Sequence, residues 1–282
     1  MSVTTTDRLP RVEELQAAVE ALAAGRFRAD RAPAPAPGEG PARMARPLET
    51  TTWATTREVL PVLAASGSSG ATTLAVAVAS ILAPARVVEC CSMSATGLAE
   101  AATAELGTDA SGWCNGTREQ VALSRATQVI AGPDAVPTPV VVEAPGWDVL
   151  DVGWQLEQLT ATGGWLAQQV QDAPAIVVAA TASVPSLRRL ENTLAALPAS
   201  ATTVVAVRSL GSRRLPTHVR AALGPRTTTH LDRGSWIDVP HEKDLAERGL
   251  SGSPLPRSLL HAAHQISRLI GAGSTTKEGL SS

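Results

Sequence analysis

The stretch from Val59 to Ala83, VLPVLAASGSSGATTLAVAVASILA, limits the fold more than any other part of the chain. A short apolar run (Val59 to Ala65) meets a Gly/Ser turn (Ser66 to Gly70). Thr72 and Thr73 then open about three turns of small apolar residues. That order predicts a strand, a glycine-rich loop and a buried helix, in which backbone N–H groups at the helix N-terminus can cradle an anion. The candidate binding residues are Gly67, Ser68, Ser69, Gly70, Ala71, Thr72 and Thr73.

The rest of the chain repeats the alternation. ARVVECCSM predicts a short strand ending in Glu89, Cys90 and Cys91; residues 96–106 and 117–130 read as helices, with a turn at SGWCNG between them. The unbroken apolar run PTPVVVEAPGW predicts a central parallel strand closing on Glu143. Residues 148–171 read as mostly helical with a break at Gly163-Gly164. APAIVVAATAS and ATTVVAVRSL predict two further strands, with a helix from Val184 to Leu197 between them. A short helix over Leu215 to Leu223, an edge strand at THLDRG and a last helix over Pro254 to Ile270 complete the pattern. Strands and helices in this alternation specify an α/β fold with a doubly wound, mainly parallel sheet. The domain is expected over residues 51–272, with a polar tail at 273–282.

Ahead of that domain, residues 1–50 read as an extension. Val12, Leu15, Val19 and Leu22 recur at helical spacing, and a Pro/Ala-rich segment follows that has too little apolar surface to fold and should act as a flexible linker. The helix is either a docking element for a partner or packs back on the domain.

A net charge of −2 gives no global basic field for nucleic acid, which leaves only a local patch; Arg213 and Arg214 are the candidate DNA-contacting residues in an arginine-rich late region. Cys90, Cys91 and Cys114 form no disulfide framework and no metal spacing. No N-terminal apolar h-region and no run of membrane-spanning length is present, so a cytoplasmic protein is expected. Lysine is scarce, with only Lys243 and Lys277, while Arg, Ala, Gly and Pro are abundant, a bias that fits a high-GC bacterium.

Set against the P-loop pattern G-x-x-x-x-G-K-[ST], Ala65 stands for the first glycine and Ala71 for the lysine, while Gly70 and Thr72 remain. Ser66 to Thr73 resembles the loop K-G-G-x-G-K-T-[TS] of the ParA/MinD family of P-loop ATPases, and the resemblance extends over most of residues 58–271. Glu89-Cys90-Cys91 stands where that family has D-x-D, and Glu143-Ala144-Pro145-Gly146 resembles its D-x-P-[PG]. The strand ending at Val207-Arg208 corresponds to one ending in Asn-Arg, whose Asn reads adenine; VPHEKDLAERGLSGSPL resembles the late loop that contacts the base.

The resemblance implies an ATP and Mg²⁺ site, with Thr72, Glu89 and Glu143 as the metal-binding residues, and a homodimer. Ser66 and Ala71 remove both loop lysines, and the loss of one such transition-state cation costs about 10³-fold or more in rate. Arg86 and Arg208 are the nearest substitutes along the chain. The expected function is therefore a pseudo-ATPase with weak or absent nucleotide binding. It would act as a scaffold or partner-binding protein in plasmid or chromosome partition, conjugation or cellular positioning. Two alternatives stand beside it: an atypical ATPase whose missing charge comes from an arginine or a partner, and a non-specific DNA-binding accessory protein.

Overall fold

The computed structural model describes residues 52–92, 95–209 and 215–271. The predicted helix near residues 8–25, its linker, Arg213, Arg214 and the 273–282 tail lie outside the described residues. Those described contain nine strands in one sheet: β1 (Glu58–Ala64), β2 (Ala85–Glu89), β3 (Ala104–Thr108), β4 (Trp113–Arg118), β5 (Val121–Ala126), β6 (Trp147–Asp151), β7 (Ala175–Thr181), β8 (Thr202–Arg208) and β9 (Trp236–Val239). The spatial order is β3-β4-β5-β2-β6-β1-β7-β8-β9. Pairings from β5 through β9 are all parallel, and only β4 opposes its neighbours.

Period-two burial on both faces explains the apolar runs. In β7, Ile176, Val178 and Ala180 enter one core, while Ala175, Val177 and Ala179 enter the other. The first core lies under α2 (Leu156–Thr162), α3 (Trp165–Asp172) and α4 (Val184–Ala196). The second lies under α1 (Ala71–Leu82) and the last helix, Arg257–Leu269. Helices thus cover both faces, as the doubly wound reading requires. The break between α2 and α3 falls at Gly163 and Gly164, both at positive φ. Between β8 and the last helix lie α5 (Thr217–Arg220), α6 (Pro225–Asp232) and α7 (Lys243–Arg248); Arg257–Leu269 is α8.

Three expectations are corrected. Residues 104–126 form a β-meander, not helices. Asp109 Oδ1 accepts from Ser111 N and Trp113 N, which folds a tight turn between β3 and β4, and Glu119 at φ +53 turns β4 into β5. Second, the strand closing on Glu143 does not exist. Pro137, Pro139 and Pro145 lack the N–H a ladder needs, and the strand begins only at Trp147. Third, THLDRG ends helix α6, whose N-terminal Arg226 and Thr227 N–H groups are capped by Glu191; the edge strand is β9.

The central strand β6 escaped notice because it carries two aspartates. Asp148 is fully buried, with Arg86 Nε donating to it at 2.9 Å and Arg57 Nε 3.3 Å away. Arg86 Nη1 also donates to Val140 O, and its guanidinium lies over the Trp53 ring. Charges in a core strand are tolerated when they are paired in this way.

Candidate functional site

The Gly/Ser turn leaves β1 at the C-terminal end of the sheet, beside the crevice where open parallel sheets bind ligands. Ala65 N donates to Ala179 O (2.8 Å), which fixes the start of the loop on β7. Ser68 (φ +58) and Gly70 (φ +88) adopt left-handed backbone, and the chain then enters α1 without a side-chain cap. The first N–H groups of that twelve-residue helix therefore have no side-chain acceptor and lie at the positive end of the helix field.

The predicted loop residues diverge in what they face. Ser66 is buried, its Oγ 2.9 Å from Ser186 Oγ on α4, so the residue at the first lysine position is tied into its own subunit. Ala71 is buried in the core beneath α1. Ser69 is only 4% exposed, yet its Oγ has no hydrogen-bond partner. Ser68, Ser69, Gly70 and Thr73 line one wall of a cavity of about 240 Å³. Ala206, Val239, Leu245 and Leu259 supply apolar surface opposite, and Glu242, whose carboxylate accepts from Ser258 Oγ, stands at its side.

Of the two substitute arginines, the fold selects one. Arg86 points into the Asp148 cluster near the start of its strand, away from the loop. Arg208, at the end of β8, donates through Nη2 to Ser68 O (2.8 Å), and its Nη1 lies 3.2 Å from His241 Nδ1. Its Nε is buried without a partner, and a Cβ added to Gly70 would lie 3.7 Å from it. Among the described residues, the loop's cationic neighbour therefore comes from the far strand.

The carboxylates behind the loop are arranged differently from expectation. Glu143 is exposed in the coil before β6 and does not reach the site. The group at the strand end is Asp151, missed because it lies within residues 148–171, a stretch that reads as mostly helical. Asp151 and Glu89 are register partners on adjacent strands, and both are buried. Burial first, then the nearby Glu89 charge, pushes the Asp151 carboxyl up to about 7, opposed by its hydrogen bond with Thr72. Burial also raises Glu89, against the hydrogen bonds it accepts.

Those hydrogen bonds come from Thr96 Oγ1, Gly97 N (2.6 Å) and Leu98 N (3.1 Å), so the following segment already holds both Glu89 oxygens. Gly97 sits directly on Thr72: an added Cβ would lie 2.9 Å from Thr72 Cγ2 and 3.2 Å from its Oγ1. Mg²⁺ needs near-octahedral oxygen ligands and keeps several waters. With both Glu89 oxygens capped and Gly97 packed against Thr72, these residues do not fit a hydrated divalent ion. Nor do the described residues contain a cluster of three or more His, Cys, Asp or Glu suited to a metal. Next to Glu89, Cys91 is buried with its thiol pushed well up, and Gly153 (φ +69) packs against it so closely that a Cβ would come within 2.6 Å.

The fold and loop define a doubly wound α/β protein with a Gly/Ser-rich βα turn at the C-terminal end of its sheet. No family model matches the chain, and no curated protein matches it. Among solved structures it is similar to a chain of the MinC:MinD cell division protein complex of Aquifex aeolicus, at 16% identity over 76% of this chain and 96% of that one, with a TM-score of 0.48. It is also similar to MinD from Pyrococcus horikoshii OT3 complexed with Mg-ADP (13% identity, 78% and 99% covered, TM-score 0.45). A ParA family ATPase from Chlorobium tepidum TLS is similar at 16% identity, with 76% and 96% covered and a TM-score of 0.41. No helix among the described residues is long and apolar enough to cross a membrane.

Proposed function

We propose that this chain is a ParA/MinD-like protein whose degenerate loop still binds nucleotide as a structural ligand, without efficient hydrolysis, and that it serves as a cytoplasmic scaffold or partner-binding protein. Partition, conjugation or cellular positioning are the processes such a role fits. The observation that carries the reading is the cavity behind the loop, where the buried Ser69 Oγ and Arg208 Nε lack partners. Buried polar atoms without partners are uncommon in folded proteins, and two at one cavity favour a ligand there.

Against turnover stand the absent lysines and Cys91, which occupies the second acidic place of the D-x-D pattern and holds its proton. Phosphoryl transfer depends on charge placed around the phosphoryl group and a group that orients the nucleophile. Ser66, tied to Ser186, offers no cation to a second subunit across a nucleotide-sandwich dimer.

An atypical ATPase is the second reading, favoured by the placement of Arg208 against the loop carbonyl of Ser68. Calorimetric titration with ATP and Mg²⁺, beside Ala71→Lys and a phosphate-release assay, tests both. Wild type is expected to bind at micromolar to sub-millimolar levels, with turnover at least about 10³-fold below that of a lysine-bearing loop. Absence of binding by wild type would remove the nucleotide reading, and sustained release would favour the ATPase.

A further inference from the structure

The cation usually paired with a nucleotide has no room behind this loop, while the loop itself has an unusual surplus of donors. Glu89 is held by Thr96, Gly97 and Leu98, and Gly97 packs directly against Thr72. On the other side of the loop, α1 presents an uncapped N-terminus, and Ser69 Oγ, 4% exposed at the residue level, is unpartnered at the cavity wall. Arg208 reaches the same wall from β8 with a free Nε and with Nη2 resting on a neutral carbonyl, Ser68 O.

We infer that this site takes the phosphate chain of a nucleotide in its metal-free form, with Arg208 in place of the divalent ion as the countercharge. The inference rests on the nucleotide reading above. A guanidinium is always charged and presents a planar fork of donors suited to two phosphate oxygens. Exchanging Ser68 O for a phosphate oxygen replaces a bond to a neutral acceptor with one in which both partners are charged, roughly twice as strong. The helix N-terminus adds about half a positive charge at the same place. No bond is made or broken in this binding, and no group near Thr72 has to move.

The apolar surface beside Arg208 selects between sources of phosphate. Ala206, Val239, Leu245 and Leu259 have no hydrogen-bonding side chains and suit the face of a nucleobase, so a nucleoside diphosphate is the expected ligand, and bare pyrophosphate leaves this surface uncovered.

The test titrates the full chain with ADP and with pyrophosphate by calorimetry, once with excess Mg²⁺ and once with excess EDTA. ADP affinity is expected to change by less than about threefold on chelation, while Arg208→Gln weakens it tenfold or more under both conditions and Arg208→Lys restores part of the loss. ADP should also bind at least about tenfold more tightly than pyrophosphate. A tenfold loss of ADP affinity in EDTA would overturn the inference and leave nucleotide binding standing, as would unchanged binding by a folded Arg208→Gln. Equal affinity for pyrophosphate would overturn the nucleotide assignment. Silence in both buffers would remove the inference and the reading it rests on together.

Discussion

Asp148→Ala is expected to lose about 3–5 kcal/mol of stability, among the largest effects of any single substitution in this fold. The Asp148 carboxylate is completely buried and is approached by two arginines, Arg57 and Arg86, while Thr55 Oγ1 donates to it at 3.2 Å. Burial lowers the Arg57 pKa, Asp148 opposes that, and Arg86 adds to it. Removing the carboxylate therefore leaves two like charges beside each other at the edge of a core, without an anion: Val140 O and the Trp53 ring remain for Arg86, and Trp147 O and Pro84 O for Arg57. Coulomb repulsion at low effective dielectric and lost desolvation compensation act in the same direction. Urea denaturation would report the loss as a lower midpoint at unchanged slope. A loss below about 1 kcal/mol would mean that water already reaches the arginines and that the pair is a surface feature. Combining Asp148→Leu with Arg86→Met should recover part of the loss, because apolar residues often replace buried ion pairs with little penalty.

The second large effect is a pH dependence with an inverted sign. Most native carboxylates are more acidic than in the unfolded chain, and their stabilisation fades toward low pH. Asp151 is the reverse. Its carboxyl is raised from an ordinary 3.8 to about 7, so the folded protein holds this proton over a window in which the unfolded chain has released it. Stability is then fully present below about pH 4 and is lost as pH rises toward 7. At about 1.4 kcal/mol per tenfold change in proton affinity, the loss reaches an upper value of about 4 kcal/mol. Glu89, also raised by burial, adds a term of the same sign. Asp151→Asn keeps an acceptor for Thr72 and removes the titration, so the variant should exceed wild type in stability above neutral pH and show a flatter profile between about pH 4 and 7. Denaturation midpoints across that range would check it, and parallel profiles for the two proteins would sink it. The same substitution should leave ADP binding in place, since Asp151 lies behind Thr72 and is not among the cavity-lining residues.

These two aspartates also mark where sequence reading failed and why. Hydrophobic periodicity finds a buried strand when its residues are apolar, as in β1, β7 and β8, and each of those follows from its own Val/Ile/Leu/Ala run. It misses β6, where two of five residues are charged. The nearby Val140-Val141-Val142 run then attracts the assignment, although its flanking prolines cannot join a ladder and Val140 and Val141 are exposed. What makes WDVLD a strand is supplied from elsewhere: Arg57 and Arg86 neutralise one aspartate, and the other pairs in register with Glu89 on β2. The β3–β5 meander was hidden for a related reason. Its alternation is carried by small and polar residues such as Gly116, Thr117 and Ser124, whose fit depends on the neighbouring strand rather than on their own hydrophobicity.

The sequence by itself determined the glycine-turned βα unit, the alternation that requires a doubly wound sheet, and the absence of both loop lysines, because these reside in chain order and residue identity. The tertiary structure alone decided that Asp151 and not Glu143 faces Glu89, that Gly97 closes over Thr72, and that Arg208 and not Arg86 reaches the loop. Arg208 and Ser68 are 140 residues apart, and their contact depends on the sheet placing β8 two strands from β1. Local propensity contains no term for such a pairing; it exists only once the strands have been ordered and twisted into one sheet.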